Sequence, residues 1–292
     1  MTSHGRLGTI TVNRMGFGAM QLAGPGVLGP PKDPDAARAV LRRAIELGVD
    51  HLDTAQFYGP DVVNALIRET LHPYPDGLRI ATKVGARRDA EGAWLPAQDP
   101  QHLREDVEAN LRALGVERMD LVNLRRHGDG PGVPIAEQLG VLQDLRDEGK
   151  LDQIGVSTVT RDELDQALDL VDVACVQNPF SIIDRSDEDV LERCIERDVA
   201  YVPYFPLGSA FTGGPAKLAA DPAIAATAEK HGATTTQIAL AWLLARDEHV
   251  LLIAGTSSVA HLEENLAAGD LELDAEDLGR LAGVVPAANP LG

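Results

Sequence analysis

Asp53, Tyr58 and Lys83 are the residues in this chain whose types and spacing could move a proton. A short apolar segment, Gly48 to Leu52, runs into the carboxylate of Asp53, and the loop Thr54-Ala55-Gln56-Phe57-Tyr58-Gly59 carries a phenol back over the same end. The next apolar segment, Leu78 to Val84, delivers the amine of Lys83 near its own end. Of the 26 basic residues only Lys32, Lys83, Lys150, Lys217 and Lys230 are lysines, so a lysine kept at a strand end stands out. A carboxylate holds a neighbouring ammonium in place and charged, and an ammonium beside a phenol lowers a phenol's pKa. Such a trio can protonate a carbonyl oxygen near neutral pH.

For the three groups to meet, consecutive strands must end at one rim. The chain reads as an N-terminal hairpin around Gly8 to Val12, then eight short apolar strands expected at 15–18, 49–53, 78–83, 119–124, 153–157, 174–178, 200–203 and 250–254. Helical patterns fill the intervals: Asp33 suits an N-cap with Pro34 in the first turn, Thr160 suits another cap, and Gly48, Gly115 and Gly149 stop their helices. Additional helical patterns near the C-terminus run from Pro222 to His231 and from Thr236 to Arg246. Short, near-continuous apolar strands require a parallel sheet covered by helices, and eight strand-helix units close into a (β/α)8 TIM barrel. An open, doubly wound sheet is the competing architecture. The length of 292 residues suits one barrel domain. In a barrel the chemistry sits at the C-terminal strand ends, and Asp53, Lys83, Arg125, Ser157, Gln177, Tyr204 and Gly255 all fall at or just past such ends.

A net charge of -19 opposes binding to nucleic acid, and no apolar run is long enough to span a bilayer. The N-terminal residues carry neither an apolar signal core nor a basic presequence, which points to the cytoplasm. In that reducing setting Cys175 and Cys194 are expected as separate buried thiols, and their spacing offers no metal site. No Gly-x-Gly-x-x-Gly follows a strand, so a nucleotide would have to be held by something other than a Rossmann turn or a P-loop.

In order and setting, Asp53, Tyr58 and Lys83 resemble three members of the catalytic tetrad of the aldo-keto reductases, a resemblance that spans Gly16 to Asn265. It implies an NADPH-dependent enzyme that reduces an aldehyde or ketone to an alcohol by hydride transfer, Tyr58 acting as the acid and no metal taking part. It also implies a cofactor extended across the barrel mouth. Gly18-Ala19-Met20 resembles the family's first-strand loop, and Asp53, Ser157 and Gln177 (with Asn178) match positions around the nicotinamide. Tyr204 matches the aromatic that stacks on the nicotinamide ring, and Leu207 and Gly208 match positions along the pyrophosphate. Gly255, Thr256, Ser257 and Ser258, followed by His261, Glu264 and Asn265, look like the adenosine-phosphate segment. Hydroxyls and N–H groups at a helix start favour the extra phosphate of NADPH. The chain departs from the most NADPH-selective members in having His261 for an arginine and Gly255 for a lysine.

A second departure lies at the fourth tetrad position. The family's histidine is replaced by Arg125, with His127 two residues on, and either could hold the substrate oxygen. A guanidinium donates hydrogen bonds, never accepts them, and attracts an anionic substituent. The stretches Val122 to Arg125 and Gly255 to Leu262 resemble the bacterial branch that reduces pyridoxal to pyridoxine. Two other functions remain open: an NADPH-binding regulatory or redox-sensing protein with little turnover, and a barrel lyase or isomerase that forms a Schiff base on Lys83.

Overall fold

A computed structural model describes residues 4–126, 132–209 and 212–286. The chain opens with an antiparallel hairpin of β1 (His4–Leu7) and β2 (Ile10–Asn13). Strand and helix then alternate: β3 (Phe17–Gly18), α1 (Pro34–Glu46), β4 (His51–Asp53), α2 (Val62–Leu71) and β5 (Arg79–Val84). A second hairpin, β6 (Ala86–Arg88) with β7 (Trp94–Pro96), interrupts the alternation before α3 (Pro100–Leu114) and β8 (Met119–Arg125). It resumes with α4 (Ile135–Asp147), β9 (Leu151–Ser157), α5 (Arg161–Leu170), β10 (Val173–Gln177), α6 (Glu188–Glu196) and β11 (Ala200–Tyr201). Five further helices are α7 (Gly214–Ala220), α8 (Pro222–His231), α9 (Thr235–Leu244), α10 (Val259–Ala267) and α11 (Ala275–Ala282).

Seven strands form one parallel sheet in the order β11-β10-β9-β8-β5-β4-β3. Residues 249–252 join its two edges. Tyr201 N donates to His249 O at 2.9 Å and Leu251 N to Tyr201 O at 3.0 Å, while Gly16 N donates to Leu252 O and Leu252 N to Arg14 O, both at 2.8 Å. Parallel bridges Tyr201 to Val250 and Met15 to Leu252 complete the ring. The architecture is the expected (β/α)8 barrel, with the first, second and seventh strands shorter than their sequence patterns and the eighth present only as bridges.

The caps follow from local chemistry. Asp33 accepts from the N–H groups of Asp35 and Ala36 at 3.1 and 2.9 Å, and Thr160 forms a capping box with Glu163. Apolar side chains sort into two cores. Leu7 and Val12 of the hairpin, which plugs one mouth, pack on Ala81, Leu121, Cys175, Ala200, Val202, Leu251 and Ile253 of the lumen, and a larger set lies between barrel and helices. Full burial of each aliphatic side chain contributes about 1.5–3 kcal/mol, so the closed ring and its plug hold the open mouth firmly. Cys175 and Cys194 are buried and free, and burial pushes both thiols up. No helix among the described residues is long and apolar enough to cross a membrane.

Candidate active site

Strands β4 and β5 lie in parallel register, so Asp53 and Lys83 reach the lumen side by side near their C-terminal ends. Lys83 Nζ donates to Asp53 Oδ1 and, at 3.1 Å, to the carbonyl of Thr54. The amine lies 5.1 Å from the centroid of the Tyr58 ring. Burial works against the charge on Lys83, but Asp53 and Tyr58, through charge and hydrogen bonding, outweigh it and raise the amine above its usual pKa. Lys83 is therefore an ammonium at neutral pH. The expected convergence of carboxylate, phenol and amine is present.

The residues next in sequence to the pair fix its position. Thr54 Oγ1 donates to Asn64 Oδ1 at 2.8 Å, Asn64 Nδ2 donates to Asn110 Oδ1 at 2.9 Å, and Thr82 Oγ1 reaches the same Asn110 oxygen at 2.6 Å. This buried chain ties β4 and β5 to α2 and α3. Because Thr54 follows Asp53 and Thr82 precedes Lys83, any shift of either strand end would leave buried polar atoms unpaired, a cost of about 1–3 kcal/mol each.

Arg125 ends β8, opposite Ser157 on β9. Its guanidinium carbon lies 5.6 Å from the ring centroid of Trp94 and 5.9 Å from that of Tyr204. Its Nε is buried without a hydrogen-bond partner, and the side chain has no ion-pair partner among the described residues. His127, the alternative carbonyl ligand, lies outside the described residues. Trp94 stands on β7, with Arg88 stacked 4.1 Å from its ring centroid and Phe57 edge-on at 5.4 Å. Phe57 in turn meets Tyr58 edge-on at 5.4 Å. Sequence reasoning missed Trp94 and Phe57: the hairpin that carries the indole has no strand-like burial, and Phe57 reads as loop filling.

The proposed cofactor residues line the same mouth. Gly18 and Gly255 approach so closely that a Cβ on Gly255 would stand 2.4 Å from Gly18 O, and one on Gly18 2.5 Å from Ile253 O. The two glycines thus leave a flat backbone ledge beside Ala19 and Met20 of the turn Ala19–Leu22. Gln177 Nε2 donates to Asp53 Oδ2 at 2.7 Å, while its Oε1 is buried with no partner. Ser157 leads into Thr158, whose left-handed φ of 58° turns its Oγ1 to within 3.3 Å of the Tyr204 hydroxyl. Asn178 supports that turn by accepting from Val159 N at 3.1 Å and donating to Val159 O at 2.7 Å. Burial raises the Tyr204 phenol's pKa against the opposing pull of Arg125 and Thr158. Leu207 packs on the core and Gly208 has a φ of 80°.

Beyond Gly255, Thr256 Oγ1 accepts from Ser258 N at 3.1 Å, and Ser258 caps α10 by accepting from His261 N at 3.5 Å. Ser257 sits between them. Glu264 accepts from the Thr234 hydroxyl at 2.7 Å, which braces α10 on α9, and Asn265 is buried beside it. The orphan Gln177 oxygen and the side-chain-free ledge fit a flat carboxamide-bearing ring with a nucleotide tail. No group of histidine, cysteine or carboxylate side chains among the described residues is placed to hold a metal.

Residues 14–286 match the sequence profile of the aldo/keto reductase family. The chain belongs to that family. It is 48% identical to pyridoxine 4-dehydrogenase of Escherichia coli K12 over 282 residues, covering 95% of this chain and 96% of that protein. It is 40% identical to an uncharacterized oxidoreductase of Schizosaccharomyces pombe over 94% of this chain and 88% of that one. An aldo/keto reductase from Klebsiella pneumoniae, solved with NADP and acetate, superposes with a TM-score of 0.77 at 25% identity, covering 95% and 93% of the two chains. This aldo/keto reductase is accordingly a nicotinamide-dependent oxidoreductase whose family cofactor is NADPH.

Proposed function

We propose that this aldo/keto reductase reduces pyridoxal to pyridoxine with NADPH, Tyr58 donating the proton. The observation that carries the substrate is Arg125: in a chain of net charge -19, its guanidinium has no carboxylate partner among the described residues and lies between two aromatic rings at the mouth. A flat aromatic aldehyde that bears a phenolate beside its carbonyl complements this arrangement. The 48% identical relative called pyridoxine 4-dehydrogenase supports the same reading.

Bound NADPH supplies the hydride. Ser157 and Gln177 would hold its carboxamide end, with the unpartnered Gln177 oxygen as the acceptor for an amide N–H. Tyr204 would offer its ring face, and Gly18, which meets Gly255 across the barrel seam, would border the cofactor with Ala19 and Met20. Leu207 and Gly208 would border the pyrophosphate, and Thr256, Ser257, Ser258 and His261 would hold the 2'-phosphate at the start of α10, where N–H groups favour an anion. Glu264 and Asn265 would border the adenine. Tyr58 places its hydroxyl at the carbonyl oxygen and gives up its proton as negative charge develops there. Lys83 beside it remains charged and stabilises the phenolate, and Asp53 holds Lys83. Arg125 pairs with the substrate phenolate through a charge-assisted hydrogen bond.

The test is NADPH oxidation by pyridoxal, run beside benzaldehyde, which lacks the ortho oxygen. Arg125→Ala should lose at least about tenfold more kcat/KM on pyridoxal than on benzaldehyde, the contribution expected of a hydrogen bond to a charged group. Equal losses would show Arg125 serving the carbonyl alone. Absence of any pyridoxal reduction by the native protein would remove the assignment.

A further inference from the structure

Asp53 has two carboxylate oxygens and two dedicated donors, and only one of the donors is the catalytic ammonium. Lys83 takes Oδ1. Oδ2 receives the amide of Gln177, which crosses the lumen from β10 and approaches to 2.7 Å. All three side chains are buried, so water does not substitute for either donor. The other end of the Gln177 amide, Oε1, is buried and unpaired.

We infer that Gln177 is a positioning residue for proton transfer: it fixes the rotation of Asp53, and through Asp53 the place of Lys83 beside Tyr58. This rests on the reading of Tyr58 as the acid. A carboxylate with one oxygen unpaired could turn about its χ2 bond, and the ammonium would follow it away from the phenol. The amide also joins two functions. An N–H donor that satisfies Oε1 polarises the amide and strengthens the Nε2 donation to Asp53, so occupancy of the carboxamide site tightens the acid. Neither Arg125, which is held between Trp94 and Tyr204, nor the buried Cys175, whose thiol reaches Asn123 Oδ1 at 3.3 Å, takes over that role.

Two substitutions separate positioning from mere packing. Gln177→Glu keeps the shape and sets a carboxylate against Asp53 Oδ2. The titratable and charged groups facing it are Asp53 on β4, Tyr58 on the loop after β4, Lys83 on β5, Arg125 on β8, and Cys175 two residues earlier on β10. One ammonium cannot neutralise two carboxylates, so the pair must share a proton, and its folded-state pKa rises above the unfolded value. Stability tied to that proton is present at low pH and lost as pH rises through the folded pKa. The apo variant should therefore lose thermal stability between about pH 5 and 8, relative to wild type, and kcat should fall over the same range. Gln177→Met removes the donor without adding charge and should lower kcat by about tenfold to a hundredfold at every pH, with Tyr58 intact.

Melting of the apo proteins, NADPH affinity by fluorescence quenching, and pH-rate profiles are the readouts. A Gln177→Glu protein that does not fold at neutral pH but folds under acid supports the inference, and Gln177→Met then carries the kinetic comparison. The inference falls if both variants keep wild-type kcat, or if Gln177→Met changes only NADPH affinity, since Gln177 would then serve the cofactor alone. Failure of the wild type itself to reduce any carbonyl would sink the underlying reading and is distinguishable, because the apo melting profiles would still report the Asp53 contact.

Discussion

Lys83 and Asp53 stand behind the Tyr58 ring at the barrel mouth. Lys83 is buried, and an unpaired ammonium there would cost several kcal/mol, so its charge persists only because Asp53 and Tyr58 face it. The roles are separable by mutation. Tyr58→Phe should reduce turnover by about 10²–10⁴-fold, the usual worth of a positioned acid, while the dissociation constant for NADPH stays within a few-fold. Retention of more than about a tenth of the rate would show that Tyr58 is not the group that protonates the oxygen. Asp53 and Lys83 were legible in sequence because each sits near a strand end whose apolar run announces it, and Tyr58 because the loop that follows Asp53 carries it. The Gln177 contact was not, because 124 residues separate it from Asp53 and only closure of the barrel joins them.

Regular strands and helices reveal themselves through periodic burial, and elements that lack it stay hidden. The strands β5, β8, β9 and β10 are apolar runs and fall where the pattern puts them. The hairpin β6-β7 has an exposed second strand, Trp94–Pro96, so no alternation marks it, although it carries the indole that faces Arg125. Helix α7 starts at Gly214-Pro215, which reads as a loop. Helix α11 is fastened by one buried carboxylate. Asp277 accepts from Lys230 Nζ at 2.8 Å, pairs with His231 Nε2 at 2.7 Å, and accepts from Asp274 N at 3.2 Å. Burial opposes its charge, but these partners prevail and hold its pKa below the ordinary carboxylate value. A carboxyl depressed in the folded state stabilises above its unfolded pKa, near 4, and that contribution disappears as pH falls further. Asp277→Ala should lower the melting temperature by several degrees at pH 7, with the gap to wild type narrowing below about pH 4. An equal gap at every pH would show that packing, not the charge, fastens the helix.

At the level of the molecule, the ring closes where Gly16 and Tyr201 meet residues 249–252. The two sides of that joint are more than 230 residues apart along the chain for Arg14 and Asp247, whose contact helps to lock it. A ribosome therefore releases β3 and β11 long before the segment that joins them. During that interval a sheet with two open edges exists, each offering unpaired N–H and C=O groups to other chains. Nascent chains arrested before residue 249 should be held by chaperones or aggregate, whereas chains that emerge past the joint should resist protease. Pulse proteolysis of stalled ribosome complexes of increasing length would locate the step, and a gradual gain of resistance beginning well before residue 249 would show that the sheet protects its own edges. For this enzyme the last strand made is thus the one that turns an adhesive intermediate into a finished vessel.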